Sequence, residues 1–401
     1  MFHGIGRDIY YPEVALLYQR SYAELPVLDQ SRVRYGKFPK AVAIALMSLR
    51  VILEKRTTAM RFLRMMIMGY MLVWAASGPA LAEGEGTLQK VRERGYLLCG
   101  VGDHDFGFAE RDTNGKWHGF DVDLCRAIAT ATLGEPDKVR FIPVDSQSRL
   151  PALLAGEIDV LFRTTTWTMQ RDSTIAIDFT RVMLFEVQGV IARGELGITS
   201  LKEVRQGTIC VNAGTTSHLN LREYLEVHNP GLDILVLETQ EGRWQAFFNG
   251  RCDLMSSDLM DLQAGKVMLA PSSEDMTLLT DIISKEPLAP AVRNEDAAWF
   301  DIIKWVLNGV IALEENRISS TNIDERLTGL SGEAKRMLGP DVTLGKTLGL
   351  DAGWLERIAR DVGNYGEIFE RNLGQASPFK IERKHNRLWT EGGLIYAMPL
   401  R

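Results

Sequence analysis

Residues 158–171 decide the fold, and they read Ile-Asp-Val-Leu-Phe-Arg-Thr-Thr-Thr-Trp-Thr-Met-Gln-Arg. The first five, 158–162, are typical of a short buried strand because apolar side chains dominate the run. A row of hydroxyl side chains and then Arg171 follow at once. Ligands of open α/β sheets bind beyond the carboxyl ends of strands. The stretch therefore predicts a carboxylate site in which the Arg171 guanidinium forks onto two oxygens.

Two further fragments extend this site. Residues 214–217, Gly-Thr-Thr-Ser, follow a strand predicted at 208–211, and residues 250–253, Gly-Arg-Cys-Asp, are followed five positions later by Asp258. The threonine hydroxyls can complete the binding of a carboxylate, and the Asp258 carboxylate can take an ammonium group. Because an α-amino acid carries one group of each kind, the three fragments together predict a socket for a free amino acid.

Each fragment also has a purely structural interpretation. Arg171 would then be a surface arginine, and the threonines of 164–168 and 215–216 would only cap helices, since capping and anion binding use the same free N–H groups. Asp258 would likewise be a helix cap, and Arg163 would form either a structural salt bridge or a contact to an acidic ligand side chain. These alternatives remain open from the residues alone.

Length and composition limit the protein's class. A chain of 401 residues predicts two or more lobes, and 45% hydrophobic with 24% charged residues is typical of a soluble globular protein. The net charge of −6, with no basic stripe, argues against nucleic acid as a partner. The six histidines have no metal-ligand spacing, and no dinucleotide fingerprint occurs, so we expect neither a metal nor a cofactor.

The N-terminal region contains a targeting signal. Basic residues 61–64 precede an apolar run at 65–76 and an Ala-Leu-Ala site at 80–82, which predicts a signal peptide at 60–82, too short to span a membrane. We interpret residues 1–59 as an N-terminal extension that is not native, with translation starting at Met60 or near Met65. The alternative is a cytoplasmic extension with a membrane anchor.

Four cysteines follow the predicted cleavage site: Cys99, Cys125, Cys210 and Cys252. An even count in an exported chain favours disulfides, and the lack of a C-x-x-C pattern argues against zinc or thioredoxin-like chemistry. Three pairings are open. Pairing within each half, Cys99 with Cys125 and Cys210 with Cys252, is the simplest, and four buried free thiols are the alternative.

Strands and helices alternate twice along the chain, in units 90–184 and 188–280. Strands are predicted at 96–101, 139–144, 158–162, 208–211, 234–237 and 252–255, and helices at 88–94, 120–133, 148–155, 219–227, 241–249 and 296–314. Such alternation predicts parallel, doubly wound sheets. All three fragments of the socket then lie just beyond strand ends.

Several longer motifs resemble a known family. Residues 93–97, 119–123 and 156–160 resemble the polar amino-acid solute-binding proteins of ABC importers. The resemblance to the general L-amino-acid-binding subgroup lies in residues 164–168, 210–211, 250–253, 283–288, 290–293, 299–302 and 363–372. The resemblance extends over about residues 87–401.

The resemblance implies an α/β fold, a two-lobed periplasmic-binding-protein clamshell with two hinge crossings. The crossings are expected near residues 185–187 and 284–288. Lobe 1 is expected at 87–185 and 289–330, lobe 2 at 186–284, and a C-terminal helical extension packed on a lobe at 331–401.

The family's ligand contacts can be carried over position by position. Arg171 resembles the carboxylate-binding arginine, and Thr166 resembles a contact made through hydroxyl and N–H groups. Thr216 resembles the carboxylate contact of lobe 2. Thr164 resembles a position whose carbonyl accepts from the ammonium, and Asp258 resembles the ammonium-binding acid.

The side-chain end of the site departs from the family. Phe106 lies near the aromatic residue that stacks on the ligand, but Ser146 occupies the place where the wider family often has a second apolar residue. This departure favours broad specificity over selection of apolar side chains, and we expect neither sugars nor peptides to bind.

The resemblance implies a periplasmic solute-binding protein, without enzyme activity, that captures L-amino acids and delivers them to the inner-membrane permease of an ABC importer. We expect a monomer. An enzyme on the same fold, such as a dehydratase of small carboxylates, would need a further acid or histidine over the pocket, and no motif supplies one. A sensor domain would need a signalling module, and none is recognised after the tail.

Mass spectrometry of protein exported from its host tests the targeting interpretation. We expect the mature N-terminus at Glu83, because the small residues Ala80 and Ala82 form the cleavage site. Peptides from residues 1–59 in the exported protein would contradict this interpretation.

Overall fold

A computed structural model describes residues 86–269, 275–339 and 343–401. The N-terminal extension proposed at 1–59, the signal peptide predicted at 60–82 and the expected mature terminus at Glu83 lie outside these residues. Within the described ranges, none of the helices combines the length and the apolar character needed to cross a membrane.

The first part of the chain alternates short strands with helices. Its strands are β1 (Leu97–Val101), β2 (Glu110–Arg111), β3 (Trp117–His118), β4 (Val139–Pro143), β5 (Val160–Leu161) and β6 (Ile177–Phe179). Its helices are α1 (Thr87–Arg94), α2 (Phe120–Leu133), α3 (Arg149–Leu154) and α4 (Met169–Thr174).

The second part repeats this alternation. Its strands are β7 (Leu184–Arg193), β8 (Gly207–Asn212), β9 (Leu232–Leu237), β10 (Leu254–Asp258), β11 (Met276–Leu278) and β12 (Ser284–Leu288). Its helices are α5 (Thr216–His228), α6 (Gln240–Phe248) and α7 (Leu259–Leu269).

The last part returns to the first sheet and then becomes helical. It contains strand β13 (Ala291–Arg293) and helices α8 (Ala297–Glu315), α9 (Ile323–Thr328), α10 (Gly332–Leu338), α11 (Leu344–Thr347), α12 (Trp354–Asp361) and α13 (Tyr365–Asn372).

Two sheets define two lobes. The sheet of the first lobe has the order β4-β1-β5-β13-β6, and that of the second has the order β11-β7-β10-β8-β9, with β12 also paired to β7. Both sheets are mixed: β13 runs antiparallel to β5 and β6, and β7 runs antiparallel to β10, β11 and β12. The prediction of wholly parallel sheets is therefore wrong, because strands that carry the chain between the lobes enter each sheet in the opposite direction.

Glycines set the ends of helix α2. Gly119 precedes it with φ +133°, where a Cβ would collide with the Phe108 carbonyl, and Gly134 ends it in the left-handed region. Asp121 and Asp123 occupy its first turn, where carboxylates interact favourably with the helix dipole. These local signals explain why the predicted span, 120–133, matches the observed one.

In each lobe a disulfide ties a helix or loop to an inner strand of the sheet. Cys99 of β1 is joined to Cys125 of α2, with 6.2 Å between Cα atoms. Cys210 of β8 is joined to Cys252, with 5.7 Å between Cα atoms. The structure thus pairs the cysteines within each half, and both links leave the connection between the lobes unconstrained.

That connection is a two-stranded antiparallel ribbon of β7 and β12. Leu184 lies opposite Leu288, Glu186 opposite Glu286, and Gln188 opposite Ser284. The ribbon occupies both regions expected as hinge crossings, 185–187 and 284–288. It links the two sheets, so a change in its twist would rotate one lobe against the other.

The C-terminal tail packs on the first lobe. Helices α12 and α13 contact α2 and α8. Asp123 of α2 accepts hydrogen bonds from Arg371 Nε and Asn372 Nδ2, each at 2.7 Å. The buried Tyr365 hydroxyl donates to the Met183 carbonyl at 2.7 Å, which fastens the tail immediately before the ribbon.

Candidate functional site

A polar cleft lies between the two lobes and encloses about 40 Å³. Among the described residues, Phe108 is the one apolar side chain that lines it. The polar lining residues are Asp105, Ser146, Arg149, Arg163, Thr164, Thr166, Asn212, Thr215, Thr216, Ser217, Gln240, Arg243, Ser257, Asp258 and Asp261. Such a surface suits a small charged ligand and disfavours an apolar one.

The segment after β5 supplies two of the predicted contacts. Thr164 has φ +36°, which is unusual for a residue with a Cβ, and its N–H donates to Asp121 Oδ2 at 3.3 Å. Thr166 is buried, and its hydroxyl donates to Glu286 Oε2 at 2.6 Å. The strained turn thus directs this segment into the cleft.

Arg171 lies beside the cleft and is not among the lining residues. It belongs to α4, whose N-cap is Thr168, because the Thr168 hydroxyl accepts from the Arg171 N–H at 3.2 Å. Its Nη1 donates to the Thr166 carbonyl at 2.8 Å. Burial lowers the pKa of Arg171, while Glu286 and Asp258 act in the opposite direction. Arg171 therefore contacts Thr166, which lines the cleft, but does not line the cleft itself.

The second lobe contributes Thr216 and Asp258. Thr215 is the N-cap of α5, and its hydroxyl accepts from the His218 N–H at 3.1 Å. The next hydroxyl, that of Thr216, donates to Glu286 Oε2 at 2.8 Å. Asp258 is the last residue of β10 and lines the cleft. Burial, followed by the nearby charge of Glu286, raises the pKa of Asp258 well above its usual range.

Phe106 is half-buried and does not line the cleft. Its neighbours Asp105 and Phe108 do, and Phe108 is held by an edge-to-face contact with Phe120 at 6.5 Å between ring centroids. The turn at residues 105–109, closed by the Asp105–Ala109 bridge, decides which of these side chains points inward. The structure therefore favours Phe108 over Phe106 as the aromatic wall.

Glu286 is the main residue that the sequence analysis missed. It lies in the hinge strand β12, is 1% exposed, and accepts hydrogen bonds from Thr166 of one lobe and from Thr216 and Asn220 of the other. The two threonine oxygens lie 3.2 Å apart. An acidic residue inside the expected hinge crossing at 284–288 was the available signal, since a carboxylate that becomes buried needs partners.

Two arginines of the first lobe also line the cleft. Arg149 is 3% exposed and donates through Nη1 to the Arg163 carbonyl at 3.1 Å, while its Nε has no hydrogen-bond partner among the described residues. Arg163 donates to the Val144 carbonyl at 3.2 Å and to the Thr164 hydroxyl at 3.3 Å. With Arg171 beside the cleft, they place three guanidinium groups on the first-lobe side, which also carries Asp105.

Hydrogen bonds join the lobes across the cleft. Gln240 donates to Asp105 of the first lobe at 3.3 Å and to Asp261 of its own lobe at 2.8 Å. Asp261 also forms a buried ion pair with Arg243 at 2.5 Å. Gln147 of the first lobe bonds to Glu238 of the second. Because these contacts span both lobes and little space remains, the structure represents a closed form.

The family model of the bacterial extracellular solute-binding proteins, family 3, matches residues 97–320. The chain is 42% identical over 324 residues to the general L-amino acid-binding periplasmic protein AapJ of Rhizobium johnstonii, covering 80% of this chain and 95% of that protein. It is 40% identical over 322 residues to the glutamate/glutamine/aspartate/asparagine-binding protein BztA of Rhodobacter capsulatus, covering 80% and 95%.

A solved structure is similar in fold and sequence. It is a periplasmic binding protein of an ABC transporter from Brucella ovis with glutathione bound. The TM-score is 0.77, the sequences are 41% identical, and the match covers 79% of this chain and 99% of that one. The structural match therefore covers more of the chain than residues 97–320 of the family model.

A raised pKa at a buried acid near the cleft predicts that the stability of the folded protein depends on pH. Burial, together with the charge of Asp105, raises the pKa of Asp121 to about 7. Above about pH 4 the unfolded chain loses this proton while the folded chain keeps it, so the free energy of unfolding falls as the pH rises towards 7. One such group contributes up to about 1.4 kcal/mol per pH unit.

Chemical denaturation between pH 4.5 and 7.5 measures this slope. We expect Asp121→Asn to flatten it, because the amide does not titrate. The matched control is Asp233→Asn, which changes an exposed carboxylate of β9. Equal slopes for the wild type and Asp121→Asn would show that this carboxyl is ionised in the folded protein.

Proposed function

This chain belongs to the bacterial extracellular solute-binding proteins of family 3, and we propose that it captures free L-amino acids of several side-chain types for an ABC importer. The observation that carries the proposal is the two-sided charge of the cleft. Arg149 and Arg163 of the first lobe and Asp258 of the second line the same cleft, together with the hydroxyls of Thr166 and Thr216. A zwitterionic α-amino acid presents the complementary pair of charges.

The carboxylate of the ligand would bind to Arg171, Thr166 and Thr216. In the closed form the two hydroxyls donate to Glu286, and Arg171 donates to the Thr166 carbonyl. A guanidinium has five N–H donors, so Arg171 retains others with which to bind a carboxylate. The binding of a ligand would thus replace contacts among the lining groups with contacts to the ligand.

The ammonium of the ligand would bind to Asp258 and the Thr164 carbonyl. In the closed form burial and the Glu286 charge disfavour the ionised state of Asp258, and an adjacent ammonium would restore it. Glu286 strengthens the negative potential at the same end of the cleft. Of the six residues proposed as ligand contacts, Phe106 alone is replaced in our proposal, by Phe108.

We place the lobe boundaries at the ribbon. Lobe 1 would comprise residues 87–185 and 289–330, lobe 2 residues 186–284, and the tail 331–401 would be an extension of lobe 1. Contacts of α12 and α13 with α2 and α8 support the last assignment. We further propose that the protein is exported through the signal peptide at 60–82, acts as a monomer and docks on an inner-membrane permease.

Glutathione is a second candidate ligand. The Brucella ovis relative was solved with it, and its glutamyl end carries a free α-carboxylate and a free α-ammonium. The same two-sided cleft would hold that end, so the exclusion of peptides expected from the sequence does not apply to a γ-linked one. A closed cleft of about 40 Å³ favours free amino acids as the principal ligands.

Calorimetry on Asp258→Asn tests the proposed ammonium site. We expect the variant to bind an amino acid about 3–5 kcal/mol more weakly, because a buried ammonium loses its counter-ion. A 2-hydroxy acid of the same side chain lacks the ammonium and should lose much less. The matched control is Asp233→Asn, which removes an exposed carboxylate of the same lobe.

Arg171→Ala is the complementary variant. It should weaken both ligands equally, since both carry the carboxylate. If Asp258→Asn weakens the amino acid and the hydroxy acid to the same extent, Asp258 is a structural residue and the ammonium is held elsewhere.

A further inference from the structure

A second cavity lies at the hinge, and it shares no lining residue with the ligand cleft. We call it the back cavity, and it encloses about 430 Å³. Its floor is the hinge segment 185–187, one wall is the start of α7 with Ile282, and the other wall is the tail segment 379–386. It is about ten times larger than the closed cleft.

The ribbon separates the two spaces. At one outer edge, the Trp167 N–H donates to the Pro287 carbonyl at 2.9 Å, and the Ala289 N–H donates to the Thr165 carbonyl at 3.0 Å. These bonds join the ribbon to the cleft segment. At the other outer edge, the Asn386 side chain accepts from the Phe185 N–H at 2.7 Å and donates to its carbonyl at 3.1 Å. The cleft and the back cavity therefore flank opposite edges of one hinge.

The two walls of the back cavity belong to different lobes. The tail wall is fixed to the first lobe, since Arg383 forms a half-buried ion pair with Glu314 of α8 and the Ile381 N–H donates to the Leu373 carbonyl at 2.9 Å. The other wall belongs to the second lobe. Between residues 379–386 and the second-lobe residues that line the cavity, the described part of the chain contains no hydrogen bond or ion pair. The walls are thus free to move with their lobes.

The apolar part of the cavity is open to solvent. Ile282 is 63% exposed and Val267 is 49% exposed, and they face a cavity whose tail wall contains Phe379 and Ile381. Exposed apolar side chains that converge from two elements on one cavity favour an apolar occupant.

The charged part of the cavity is mainly basic. Lys266, Lys380 and Lys384 line it, and in the described ranges the ammonium groups of Lys266 and Lys384 have neither a hydrogen-bond nor an ion-pair partner. Two of the described acids line it: Glu186 is 5% exposed and accepts from the backbone N–H groups of Val187 and Met260, whereas Glu382 is exposed, so one exposed acid faces three lysines. The free charges of the cavity therefore suit an anion.

We propose that the back cavity is an effector site for a small amphipathic anion, an apolar body carrying a carboxylate or sulfonate. A rotation that closes the cleft at one edge of the ribbon widens the space at the other, so an occupant that touches both walls favours the closed form. Such an occupant raises the affinity of the cleft for its ligand, and the ligand raises the affinity of the back cavity by the same factor. Coupling requires the amino-acid binding proposed above, whereas occupancy of the back cavity does not.

Titration with 8-anilinonaphthalene-1-sulfonate tests occupancy, since this fluorescent probe combines an aromatic body with a sulfonate. We expect one saturable site on the folded wild type. Ile282→Asp should weaken the probe at least tenfold, because it places a carboxylate in the apolar wall. The matched control is Val227→Asp on α5, which changes a 75% exposed valine of the same lobe outside the cavity and should leave binding unchanged.

Lys266→Glu is a second variant that changes only a surface charge, and it should also weaken the probe. Equal probe binding by the wild type, Ile282→Asp and Lys266→Glu would overturn the proposed site, because the probe would then bind elsewhere.

Repeating calorimetry of the amino acid at saturating probe tests the coupling. We expect the amino acid to bind several-fold more tightly in the wild type, and the enhancement to disappear in Ile282→Asp. An unchanged amino-acid affinity at saturating probe would overturn the effector role, while failure of the unliganded wild type to bind any amino acid would count against the proposed function instead.

Discussion

The pairing of β7 with β12 is the constraint on which the rest of the molecule depends. It brings the two crossings side by side, and it places Glu286 where residues of both lobes can reach it. Thr166 and Thr216, 50 residues apart in the chain, donate to the same carboxylate oxygen. A buried carboxylate needs such donors, so the hinge itself favours the approach of the lobes. The disulfides stay within the lobes and leave this movement free.

The charges of the cleft explain why a zwitterion is the ligand that fits. Arg149, Arg163 and Arg171 approach from lobe 1, and each has part of its donor capacity satisfied by backbone carbonyls. At the acidic end, burial and the charge of Glu286 raise the pKa of Asp258 well above its usual range. A ligand with separated charges of both signs relieves both ends at once. A neutral sugar has no charge to pair with the arginines or with Asp258. An apolar molecule would leave these groups without any polar partner.

The sequence predicted well what local chemistry determines. Gly119 and Gly134 bound helix α2, and the segments after strands reached the cleft because strand ends meet there. It predicted less well what depends on tertiary contacts. Which of Phe106 and Phe108 faces inward depends on one turn, and the rotamer of Arg171 depends on the Thr166 carbonyl. The role of Glu286 needs the ribbon, whose antiparallel pairing joins residues about a hundred positions apart. The direction of strands in mixed sheets has the same non-local origin.

The central claim is that the cleft recognises the α-carboxylate and the α-ammonium rather than one particular side chain. Calorimetry of the mature protein with all twenty L-amino acids tests it most directly, with the corresponding amides, which lack the α-carboxylate, as matched ligands. The account predicts that several amino acids bind in the micromolar range, about −8 kcal/mol, and that their amides do not. Tight binding of one amino acid alone, or equal binding of an amino acid and its amide, would contradict the account.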